Sequence, residues 1–68
     1  MNAQTMVHDL NQIALFFASY PHDQALGGVV GHVKQFWAPR MKSQIKAYVA
    51  DGGVGLHPLA VEAVKQLG

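Results

Sequence analysis

Residues 5–21, TMVHDLNQIALFFASYP, decide the fold class of this chain. Met6, Leu10, Ile13 and Phe17 recur at intervals of four, three and four, the spacing that lines one face of an α-helix. Val7 and Ala14 widen the stripe, and Thr5 is placed to cap the first turn. Tyr20-Pro21 stops the helix, because the residue before a proline is driven out of the α region. The pattern predicts a first helix over about 5–19. Leu15 and Phe16 fall off the centre of its apolar face, an aromatic surplus better suited to a second contact surface than to water.

The same logic carries through the rest of the chain. His22-Asp23 restarts it, with a cap at one of these two residues, and predicts a second helix over about 23–36. Leu26, Val29, Val30, Val33 and Trp37 form its stripe, with Phe36 beside it. Gly27, Gly28 and Gly31 lie inside this segment, each costing about 1 kcal/mol of helix propensity relative to alanine. Gly27 and Gly31, one turn apart, either admit the close approach of another helix or mark an irregular first turn. Pro39 suits the first position of a third helix over about 39–50, with Met41, Ile45, Tyr48 and Val49 on one face. Asp51-Gly52-Gly53-Val54-Gly55 is a stop, Gly52 fitting a left-handed cap, and Leu56 anchors the loop. His57-Pro58 opens a fourth helix over about 58–66, with Val61 and Val64 inward. No segment alternates with period two. The expectation is an all-α fold, a small single domain of three to four short helices spanning 1–68.

A chain of 68 residues buries only about 60% of the surface its unfolded form exposes, so its core is marginal. Small proteins usually add disulfides, a metal or a partner. Cysteine is absent, which removes disulfides, thiolate zinc sites and iron–sulfur ligation together. Only 13% of residues are charged, against about 25% in an average soluble protein, and half are hydrophobic. Apolar surface therefore stays exposed, as it does where proteins dock. The charge is uneven: residues 34–50 carry Lys34, Arg40, Lys42 and Lys46 and no acid. A net charge of +1 is too weak for a nucleic-acid module. The apolar run Ile13–Ala18 is shorter than the roughly 7–15 residues of a signal peptide or the roughly 20 of a membrane span, so no membrane is expected and the cytoplasm is the default.

Catalytic chemistry finds no footing. His8, His22, His32 and His57 are nowhere three or four residues apart, so no helix face presents a metal-ligand pair. Solvated or capping roles are expected for them, and a hydrogen-bonded structural role for His32. Ser19 and Ser43 sit in no nucleophile elbow, and the carboxylates are scattered. Gly52-Gly53-Val54-Gly55 lacks the preceding strand of a dinucleotide fingerprint. No catalytic, cofactor-binding or metal residue is expected. What remains is the junction Phe36-Trp37-Ala38-Pro39-Arg40-Met41. Trp and Arg are the residue types most enriched at interface hot spots, yet a lone Trp equally closes a core. The partner-interface candidates are Phe16, Phe17, His32, Phe36, Trp37, Pro39, Arg40 and Met41.

Several stretches together resemble the delta subunit of the bacterial, soluble, NAD-dependent formate dehydrogenases. They are Asn11-Gln12-Ile13-Ala14 with Phe16-Phe17, His32 with Phe36 to Met41, and Gly55-Leu56-His57-Pro58-Leu59 followed by Glu62-Ala63, in order over about residues 10–64. The Gly27-Gly28 pair departs from that pattern's more polar, Ala-rich helix start and allows the second helix to begin later. The resemblance implies a cofactor-free accessory subunit of an oxidoreductase complex that converts formate to CO2. Other subunits would carry a molybdenum or tungsten pterin cofactor, iron–sulfur clusters and FMN, and reduce NAD. The implied partners are the larger subunits, the catalytic alpha subunit first among them. A transient assembly factor for insertion or retention of the metal cofactor is the alternative. A helix-turn-helix nucleic-acid binder using Lys34 to Lys46 stands well behind both. The apolar surface also leaves room for self-association of the isolated chain.

Overall fold

The first helix starts ahead of its apolar stripe because Asn2, not Thr5, caps it. The Asn2 side chain accepts a 2.8 Å hydrogen bond from the Thr5 amide. A computed structural model describes residues 2–67. Its four helices are α1 (Ala3–Phe17), α2 (His22–Phe36), α3 (Pro39–Ala50) and α4 (Pro58–Lys65), and no strand occurs among the described residues.

The breaks fall where proline and glycine place them. Before Pro21, α1 gives way to a turn over Ala18 to Tyr20. Neither His22 nor Asp23 caps α2: Pro21 holds the cap position without a side-chain bond, and Asp23 lies in the first turn, favourable to the helix dipole. The helix also does not wait for the glycine pair. It is regular from His22, since packing on one face outweighs the propensity cost of three glycines. Helix α3 ends in a Schellman arrangement. The amide of Gly52 bonds the Val49 carbonyl and that of Gly53 bonds the Tyr48 carbonyl, both at 3.0 Å. Gly52 and Gly53 take φ of 120° and 61°, open to glycine and costly to other residues. The Tyr48 hydroxyl then donates to the Val54 carbonyl, pinning the loop.

Helices α1 and α4 each pack on the other three, while α2 and α3 meet mainly through them. Leu10, Val29, Val33 and Ile45 are the largest side chains fully out of water. Met6 and Ala14 of α1, Leu26 of α2, and Leu59, Ala63 and Val64 of α4 join them in one cluster, which contains no buried polar side chain. Val61 is only half-buried; Leu59, Ala60 and Ala63 carry the packing of α4 instead. The radius of gyration is 10.6 Å, against about 11 Å for a compact domain of this length. The accessible surface of 4207 Å² matches the roughly 4,200 Å² of a closed monomer. The chain thus closes its own core, and what it offers a partner is a finished surface.

One polar side chain ties the two ends of this core together. Asn11 of α1 donates from Nδ2 to the Gly55 carbonyl at 2.9 Å, and its Oδ1 accepts from the His57 amide at 2.8 Å. His57 Nδ1 in turn accepts from the Leu59 amide at 3.0 Å and caps α4. The capping role expected of a histidine belongs to His57.

Candidate partner interface

Helices α1 and α2 form an antiparallel hairpin: Phe17 lies over Gly28, and one turn back Ile13 and Phe16 face His32. Gln12, Ile13, Phe16 and Phe17 of α1 and His32 of α2 line an open groove of about 310 Å³ between them. Phe16 is 68% exposed and Phe36 is 66% exposed, an unusual position for so apolar a ring. Phe16 meets Phe17 edge-on with ring centres 5.0 Å apart. At the other side of the groove His32 stacks on Phe36, one turn further along α2, at 4.8 Å. A strip of four aromatic rings therefore runs from the end of α1 to the end of α2. Leu15 and Tyr20 add exposed apolar surface near the α1 end.

The strip depends on one small residue. A Cβ at Gly28 would lie 2.5 Å from two carbons of the Phe17 ring, so the ring rests on bare backbone. Gly27 and Gly31, the pair left either to admit a neighbouring helix or to mark an irregular first turn, have nothing within 4 Å of where a Cβ would stand and lie in a regular helix. The close approach is real, one residue from where the spacing put it, and it is made by a ring and not by a helix backbone.

The sequence candidates divide. Phe16, Phe17, His32 and Phe36 come together in the strip. Trp37 is 8% exposed and belongs to the core, leaving little of its ring for a partner. Met41 is half-buried against that core. Pro39 and Arg40 are exposed at the start of α3. His32 makes no hydrogen bond to another described residue; stacking on Phe36 takes the place of the structural bond expected of it. Gln12, a wall of the groove, stood in the sequence only as part of the Asn11-Gln12-Ile13-Ala14 stretch and was not among the interface candidates.

The corner between α2 and α3 is cationic. Lys42 reaches back from α3 and donates to the Lys34 carbonyl at 3.2 Å, satisfying one of the open carbonyls at the end of α2. At the opposite end of α2 His22 Nε2 and Glu62 Oε2 are hydrogen-bonded at 2.8 Å, the only contact of a basic side chain with a carboxylate among the described residues. Tyr20, His22, His57 and Glu62 border a second hollow of about 310 Å³ there, but the pairing of His22 with Glu62 and the capping bond of His57 occupy much of its polar chemistry.

Over residues 5–64 the chain matches the family described as NADH-dependant formate dehydrogenase delta subunit FdsD. The chain belongs to this family. The matched stretch runs from the first turn of α1 to Val64, the last buried residue, so it takes in all four helices. No curated protein and no solved structure gives a significant match. The stretches that carry the likeness to formate dehydrogenase delta subunits have visible jobs here. Asn11 clamps Gly55 and His57, His57 caps α4, and Phe36 to Met41 make the α2–α3 corner.

The chain has no cysteine, and no group of three or more His, Asp or Glu among the described residues could hold a metal ion. Among the described residues no helix is long and apolar enough to cross a membrane.

Proposed function

We propose that this delta subunit is a non-catalytic accessory subunit. It stabilises a formate dehydrogenase complex by docking on the larger subunits, which carry the pterin-bound metal, iron–sulfur clusters and FMN. The observation that supports this reading is the aromatic strip of Phe16, Phe17, His32 and Phe36, left open on a chain whose core is already closed. Burying two exposed phenylalanine rings stabilises an association by about 1.5–3 kcal/mol each. The catalytic alpha subunit is the partner proposed first.

Affinity purification of the tagged chain from its native cells, with mass spectrometry and an assay of formate-dependent NAD reduction, tests this. Active enzyme with the larger subunits in fixed stoichiometry supports the accessory subunit. Recovery of only inactive, metal-poor large subunit would move the role to transient assembly. Recovery of no formate dehydrogenase subunit would overturn both.

A further inference from the structure

Resting on that reading, we infer that the hollow between α3 and α4 is a second docking surface, occupied by an acidic segment of a larger subunit. One apolar side chain of that segment enters between Lys46 and Lys65, and carboxylates beside it meet the two ammonium groups.

The hollow has a volume of about 470 Å³ and is lined by Lys46, Val49 and Ala50 of α3 and by Val64 and Lys65 of α4. It shares no residue with the groove between α1 and α2. Its floor is apolar, and each helix brings one lysine to it. Both lysines are exposed. Lys42 stands one turn before Lys46 and lengthens the basic edge along α3.

Charge sets the sign of the occupant. Glu62, one turn before Lys65, is held by His22 at 2.8 Å. Asp51 follows directly on α3 but lies within pairing distance of neither lysine. Asp23 is in the first turn of α2, and Asp9 stands on α1 one turn before Ile13, a wall of the other groove. Among the described residues, then, no carboxylate pairs with Lys46 or Lys65. The helix dipole accounts for Lys65, which stands in the last turn of α4. It does not account for Lys46, since α3 has no basic residue in its last turn. An acidic neighbour complements both.

The apolar floor separates a protein from other anions. A nucleic acid would offer phosphates to the lysines, but its bases stack on aromatic rings, and none lines this hollow. A small anion would pair with the ammonium groups and leave the floor facing water. A protein segment with an apolar side chain flanked by Asp or Glu covers the floor and pairs with the rim in one contact.

The test uses the native complex. Carbodiimide, which joins an amine to a carboxylate in direct contact, should link Lys46 or Lys65 to an Asp or Glu of a larger subunit, read by mass spectrometry of the linked peptides. The double variant Lys46→Glu/Lys65→Gln should keep its helical circular dichroism, because neither side chain bonds another described residue. It should lose retention of that subunit by at least about tenfold, and wild-type retention should fall as salt rises. Ala50→Trp, which fills the hollow and leaves its charges in place, should also weaken retention with the fold intact. Full retention by either variant, or links from these lysines only to this chain, to a second copy of it or to nothing, would overturn the inference while leaving the accessory role standing. A wild-type chain that retains no formate dehydrogenase subunit would remove the role itself and this inference with it.

Discussion

The ring of Phe17 lies directly on the backbone of α2 at Gly28, where even a methyl group would come within 2.5 Å of it. That contact fixes how α1 meets α2, and so where Phe16 and His32 stand. Gly28→Ala gains about 1 kcal/mol of helix propensity but forces the ring from its place, an overpacking cost of about 1–3 kcal/mol. Phe17 cannot swing freely aside, because Phe16 and Tyr20 flank it at 5.0 and 5.9 Å. Gly31→Ala, with open space around it, should instead stabilise by about 0.4–1 kcal/mol. Thermal melts of the two variants should shift in opposite directions, and Phe17→Leu should relieve the Gly28→Ala defect in the double variant.

Ile45 is the single fully buried residue that α3 contributes. Ile45→Ala should cost about 2–5 kcal/mol, a large part of the roughly 3–10 kcal/mol expected for a chain of this length. Trp37→Ala should cost about 3–5 kcal/mol. Both should lose the complex by unfolding. Circular dichroism of the free chain would show the loss of helix, which separates this outcome from a damaged interface.

Phe16→Ser and Phe36→Ser make the opposite case. Both rings are exposed, so the melting curve of the free chain should move by less than about 0.5 kcal/mol. Retention of the larger subunit should fall sharply. A variant that folds normally and still holds the complex at full yield would take the aromatic strip out of the interface.

Asn11→Leu removes both bonds from α1 to the loop before α4 and leaves the His57 amide without its acceptor. Chemical denaturation should show a loss of about 1–3 kcal/mol. Hydrogen exchange at the His57 amide should accelerate more than that of the α1 amides. Asn11→Asp keeps the Oδ1 acceptor and should recover part of the loss.

Most of the fold was legible because its punctuation is local. Pro21, Pro39, Pro58 and the glycines at 52–55 act on the backbone within one or two residues, so helix breaks could be read directly. The start of α1 was misplaced because the cap, Asn2, precedes the apolar stripe that signals the helix. The surface was harder. Whether Gly27, Gly28 or Gly31 faces a neighbour depends on the rotation of α2 against α1, which one helix's own period does not contain. The same holds for Trp37: it is buried in the core cluster, while Phe36, its neighbour and at least as apolar, points out. Phe16 was legible as outward because it falls off the stripe of α1.

The clamp from Asn11 to Gly55 and His57, with α4 packed on the other three helices, also makes the folding of this core a single event. Residues 3–50 alone leave open the faces that α4 covers, so they form no finished core. A truncation ending before Pro58 should be digested rapidly by protease, where the full chain resists.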